Sequence, residues 1–193
     1  MENTIITSEG FSIGDLRFAG FVLTRGEYLS IDFPDSLDFK VENALCEILS
    51  GNSKVEGFSV MENVIPVKTP MMKPGPALFS MKTSFKYLKE NGSFTESEMI
   101  TFLKEIDIDP KINIYRLGAN ERKLLSLEAA YSKSKNIIIS TAGLDYNGIE
   151  KIRSRIKREI NTGSLIELSY PSSWGREYLF DELGTNHKMV TVK

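Results

Sequence analysis

The chain has 193 residues, 41% of them hydrophobic and 26% charged, with a formal net charge of −2. Such values describe a globular chain rather than a disordered one, and they exclude the broad basic surface of a non-specific nucleic-acid binder. The single cysteine, Cys46, excludes an internal disulfide, and no apolar run approaches the ~20 residues of a membrane-spanning helix. The polar Met1-Glu2-Asn3-Thr4 start carries no basic region before an apolar stretch. A cytoplasmic chain without a secretory leader is expected.

In chain order, Phe18 to Phe33 reads as two strands around the turn Thr24-Arg25-Gly26-Glu27. A loop at Asp32-Phe33-Pro34-Asp35-Ser36 follows. Val41, Ala44, Leu45, Ile48 and Leu49 then recur at the spacing of an amphipathic helix, and Gly51 ends it. Prolines at 66, 70, 74 and 76 make the next stretch mostly loop, with a short strand at Val64-Ile65. A short helix is expected from Thr83 to Lys89. Thr95 and Glu98 form a capping box before the apolar face of Met99, Phe102, Leu103 and Ile106. A helix from about Glu121 to Lys133 leads to a strand at Ile137–Ile139. Another helix spans about Gly148 to Ile160, with strands at Ser164–Ser169 and Met189–Val192. Alternating strands and helices predict an α/β fold with a mainly parallel sheet. The expected organisation is one domain over residues 1–193, containing a helical subdomain at about residues 83–133.

The strand Lys135-Asn136-Ile137-Ile138-Ile139-Ser140 runs into Thr141-Ala142-Gly143-Leu144-Asp145. That turn resembles the D-loop of the ATP-binding domains of ATP-binding cassette (ABC) transporters. Other landmarks occur in the family's order. Gly26-Glu27-Tyr28-Leu29-Ser30-Ile31 resembles the strand before the phosphate loop, and Pro34-Asp35 resembles that loop's start. Leu117-Gly118-Ala119-Asn120-Glu121-Arg122 resembles the signature motif, and Leu127-Glu128-Ala129-Ala130 the helix after it. The resemblance implies a P-loop NTPase-like, ABC ATPase-like fold over nearly the whole chain. Of these motifs, the D-loop match alone is specific.

The departures are systematic. In the family an Asp-Glu-Pro separates the strand from the D-loop Thr. The Asp holds the water shell of magnesium and the Glu orients the attacking water. Here Ser140 alone stands in that place. A phosphate loop needs glycines for close backbone approach, a Lys for the phosphates and a Ser or Thr for magnesium. No glycine lies between Glu27 and Ser50, and aligning back from Gly51 puts Glu42 at the Lys position and Asn43 at the Ser/Thr position. A carboxylate ~4 Å from a phosphate charge costs on the order of 4 kcal/mol at an effective dielectric of 20. Lys40 lies nearby as partial compensation. The signature stretch lacks its hydroxyl, Pro171 falls at the switch-His position, and no Gln stands in Ile65-Pro66-Val67-Lys68, where the Gln loop belongs.

These residues also have plainer readings. Thr141 to Asp145 serves equally as a β-to-α turn, with Gly143 at positive φ and Asp145 as a helix cap. Lys151, Arg153, Arg155, Lys157 and Arg158 read as a solvated basic face, or as a surface for an acidic partner or lipid head groups. His187 has no second histidine, so zinc is not expected. Cys46 and Trp174 read as packing residues, and Asp107-Ile108-Asp109-Pro110 as a turn. Met71, Met72, Phe79 and Met81 read either as gap-filling core or as a partner surface.

The resemblance with its departures implies a catalytically inactive ABC-type subunit, without catalytic residues, metal or cofactor. Its expected partners are an intact ABC ATPase subunit, a membrane permease or a second copy of itself. It would sit at the inner face of the membrane without inserting. Two alternatives stand beside this. One is a divergent ATPase that binds ATP and magnesium through Lys40, Lys68 and Arg122; the other is a free-standing α/β interaction module.

Overall fold

Residues 4–32 form strands joined by tight turns. Strand β1 (Thr4–Ile13) pairs antiparallel with β2 (Leu16–Thr24), and on its other edge with β4 (Phe58–Val60). The stretch Gly14-Asp15 turns β1 into β2, with Gly14 at φ 59°. Phe11 stacks on Phe18 at 4.7 Å between ring centroids, and Phe58 meets Phe11 edge-on at 5.5 Å. These strands therefore bury an aromatic face. The first strand was not expected from the sequence.

In this computed structural model, which describes residues 3–33, 39–70, 82–169 and 186–192, a second sheet carries the order β5-β6-β7-β3-β8. Its strands are β3 (Glu27–Asp32), β5 (Val64–Pro66), β6 (Asn136–Ser140), β7 (Ser164–Ser169) and β8 (Asn186–Thr191). Every pairing in it is parallel. Parallel strands need crossovers and cover on both faces, so they read as unbroken apolar runs. Ile137, Ile138, Ile139, Leu165, Ile166, Leu168, Leu29 and Ile31 are accordingly all buried. The expected edge strand near Met189 is β8.

The crossover helices are α1 (Phe39–Leu49) and α5 (Tyr146–Glu159). Helix α1 ends as expected at Gly51, whose φ of 75° lets its N–H reach the Ile48 carbonyl while Asn52 reaches Glu47. Leu45, Ile48 and Leu49 join Ile5, Phe18, Leu29, Ile31, Ile138, Ile166 and Val190 in one apolar core. At about 25 cal/mol per Å² of apolar surface removed from water, this core is the main source of stability.

The chain divides into two compact units. One runs over Met1–Pro66 and resumes at Ser134–Lys193; the other is Val67–Lys133. The second is helical, with α2 (Ser84–Asn91), α3 (Glu96–Glu105) and α4 (Ala119–Tyr131). Both bonds of the Thr95–Glu98 capping box are present. Leu88, Met99, Phe102, Leu103, Leu125 and Leu127 are buried in this unit, and the Tyr87 hydroxyl meets Ser126 Oγ at 2.9 Å. Asp107 sits at φ 55° just past α3, a position that usually takes glycine.

One expectation is overturned. The basic residues of α5 do not form a single solvated face: Arg153 and Arg155 are only 3% and 8% exposed. A buried guanidinium needs a paired acid, and the helix supplies them. Arg153 Nη1 donates to Glu150 at 2.6 Å, and Arg155 Nη1 to Glu159 at 2.9 Å. Lys151, Lys157 and Arg158 alone among the five are exposed.

Candidate functional site

Because the sheet is parallel, the C-terminal ends of β3, β6 and β7 emerge along one edge, where ligands of open α/β sheets bind. The sequence places its phosphate-loop and D-loop counterparts there. After β3, residues 34–38 lie outside the described residues, and with them Pro34 and Asp35. Lys40, Glu42 and Asn43 fall on the first turn of α1, Lys40 and Asn43 exposed and Glu42 half-buried. The Asn43 amide donates to the Phe39 carbonyl within the helix at 2.9 Å. Pro171, Trp174 and the cluster Met71, Met72, Phe79 and Met81 also lie outside the described residues, as does the His187 side chain.

The turn after β6 is built from its own residues. Thr141 is buried, Leu144 half-buried, and Ala142, Gly143, Asp145 and Tyr146 exposed. Gly143 takes φ 78°, a conformation in which a Cβ would be strained. The Leu144 N–H donates to the Thr141 carbonyl at 3.2 Å, and the Ala142 N–H to Ser140 Oγ at 3.3 Å. Asp145 accepts the Gly148 N–H at 2.8 Å and so caps α5. The plain turn reading holds: this is a capped β-to-α turn whose tip faces solvent.

Beneath the turn, the Thr141 hydroxyl donates to Glu167 Oε1 at 3.1 Å, a bond between two buried groups. Ser30, on the neighbouring strand β3, donates to Asp32 Oδ1 at 2.7 Å. Glu167 was read only as part of a strand. A lone carboxylate inside Ser164-Leu165-Ile166-Glu167-Leu168-Ser169 was the signal that could have marked it. Among the described residues, no group of three His, Cys, Asp or Glu side chains is arranged to hold a metal ion.

In the helical unit, the signature-like stretch forms the start of α4. A 3₁₀ turn at Ile114–Arg116 delivers half-buried Leu117, then Gly118 as N-cap without a side-chain cap bond. Gly118 and Ala119 are exposed, whereas Asn120 and Glu121 are half-buried. Arg122, one of the three cations of the divergent-ATPase alternative, turns back on the chain: Nε donates to the Gly118 carbonyl and Nη1 to the Pro70 carbonyl.

Two carboxylates of the sheet unit are held below the ordinary value of 4.5. Burial alone would raise Glu27, but the Lys188 ammonium at 2.7 Å and the Thr24 N–H at 2.7 Å outweigh it. Burial likewise opposes ionisation of Glu159, and Lys135 and Arg155 outweigh it. Both anchor the scaffold rather than the turn.

The class of protein is defined by this arrangement: an α/β, P-loop NTPase-like fold with a mainly parallel sheet. More particularly, its fold is that of the ATP-binding domains of ABC transporters. An ABC transporter in an inward-facing conformation superposes with a TM-score of 0.63 at 16% identity, over 86% of this chain and 73% of that one. The protein cbiO1 from Clostridium perfringens, part of the ABC transporter complex cbiONQ, gives 0.55 at 15% identity, over 86% and 78%. A nucleotide-free ATP-binding cassette from an ABC transporter gives 0.57 at 12% identity, over 86% and 81%. At such identities the similarity shows the fold. No family profile matches the chain, and no curated protein does. Among the described residues, no helix is long and apolar enough to cross a membrane.

Proposed function

We propose that the chain is a catalytically inactive ABC-type subunit, a structural or regulatory partner of an ABC transporter. The observation that carries this reading is the end of β6. In an ABC ATPase-like fold, that strand closes on Ser140 where the magnesium and water ligands would begin, and continues directly into an exposed, D-loop-like turn. Ser140 Oγ accepts a hydrogen bond from Ala142 of the turn itself. The α1 positions that would meet the phosphates and magnesium carry Glu42 and Asn43. This donor set does not fit a magnesium–nucleotide pair. What remains exposed at Ala142, Gly143, Asp145 and Tyr146 fits contact with another subunit, at the cytoplasmic face of a membrane and through a permease or an intact ATPase.

Equilibrium titration with magnesium-ATP tests this. The expected result is no binding in the micromolar range and no turnover. Micromolar binding accompanied by hydrolysis would overturn the proposal in favour of a divergent ATPase.

A further inference from the structure

We infer that Glu167 is the positioning residue of the turn that follows β6. Its buried carboxylate accepts the Thr141 hydroxyl and so sets the direction in which Ala142 to Tyr146 leave the sheet. The inference deepens the contact reading above and rests on it for its functional meaning.

The placement follows from register. Glu167 stands opposite Ile139 on β6 and opposite Ser30 on β3. Parallel partners share a face, and residues two apart on a strand do too. Thr141, two residues beyond Ile139, therefore rises on the face that carries Glu167 and Ser30. The side chains that alternate with them, Leu29, Ile31, Ile138, Ile166 and Leu168, belong to the apolar core. The opposite face carries buried Tyr28, Ile137, Ile139 and Leu165 and then, toward the C-terminal strand ends, the polar row Thr141, Glu167, Ser30 and Asp32 across β6, β7 and β3. Glu167 is 3% exposed and Thr141 4%.

A buried carboxylate in a run of leucine and isoleucine is costly unless it is hydrogen-bonded, and the Thr141 hydroxyl supplies one such bond. The other bonds described for the turn, Ala142 to Ser140, Leu144 to Thr141 and Gly148 to Asp145, run within residues 140–148. They fix the turn's shape. The Thr141–Glu167 bond joins it to a different strand, the one inserted between β6 and β3. A partner reading the exposed tip would depend on the direction that this bond sets.

Native-state hydrogen exchange on the purified chain tests the inference. Glu167→Leu and Thr141→Val should each accelerate exchange at the Ala142 and Leu144 amides roughly fivefold or more, leaving the middle of β6 and β7 unchanged. Glu167→Gln keeps an acceptor oxygen and Thr141→Ser keeps the hydroxyl, so both should stay near the parent chain. The double variant Glu167→Leu/Thr141→Val should be no faster than either single one, because both remove the same bond. Unchanged exchange in the turn, or acceleration spread evenly over the core strands, overturns the proposal. Should Glu167→Leu fail to fold, the Thr141 pair decides alone. Sedimentation equilibrium of the same variants then addresses the contact reading. Weaker self-association in Thr141→Val supports the two together. A parent chain that associates neither with itself nor with an ABC ATPase subunit removes the contact reading and leaves the exchange result standing.

Discussion

The starts of α4 and α5 carry two of the ABC-like motifs, and the chain treats them differently. Before α5, Gly143 supplies a positive φ, Asp145 caps the helix and Thr141 is bonded into the sheet interior. Before α4, Gly118 offers no side-chain cap, and Ala119 and Asn120 stand where the resemblance expects small phosphate-binding groups. The residues of the first motif also hold up the local structure, so changing them costs stability. Those of the second make no side-chain cap bond, so changing them should cost the fold less.

The contrast can be broken hardest from behind α5. Gly163 lies where α5 gives way to β7, and a Cβ there would run into the Lys135 carbonyl oxygen. Because that neighbour is backbone, Gly163→Ala should cost about 3 kcal/mol or more, or prevent folding, as measured by urea denaturation. Within the turn, Gly143→Ala should cost about 1–2 kcal/mol for its φ of 78°. Asp145→Ala should cost about 1 kcal/mol for the lost cap.

Acid should loosen the sheet unit. Glu27 and Glu159 have folded-state values depressed below 4.5. A depressed carboxylate contributes stability that is fully present above its unfolded value and lost as pH falls through the folded one. Urea midpoints should therefore hold steady down to about pH 5 and drop below the ordinary carboxylate range. Glu159→Gln should flatten that drop; an unchanged profile would show that the Lys135 and Arg155 pairs contribute nothing. The smallest expected effect lies at the other motif. Gly118→Ser supplies the missing cap in an already extended residue (φ −64°, ψ 170°), so it should stabilise by only a few tenths of a kcal/mol.

Much of the fold could be read from local pattern. The stops at Gly51, the Thr95–Glu98 box and the isoleucines of β6 are signals carried by neighbouring residues, and each forms what its spacing implies. Strand β1 escaped because Thr7, Ser8, Glu9 and Gly10 dilute its apolar residues; its burial comes from pairing with β2 and β4. Burial of Arg153 and Arg155 was hidden for the same reason. Charge alone does not reveal what covers a helix face, and the acids that pair them sit on the same helix. The turn at Thr141–Asp145 was legible because it is local. Its tie to Glu167 depends on sheet register, which links residues 26 positions apart.

The strand order also bears on how the chain is made. Strand β3 lies between β7 and β8, yet both are encoded after the helical unit has been completed. A ribosome emits β3 early and its two neighbours last. Until then its hydrogen-bonding edges and its Tyr28-Leu29-Ser30-Ile31 run have no native sheet partner, while the local contacts of α2, α3 and α4 can form at once. The newborn chain therefore carries a ready template for intermolecular pairing. The same topology that brings three strand ends to one edge leaves β3 waiting longest for its sheet partners during synthesis.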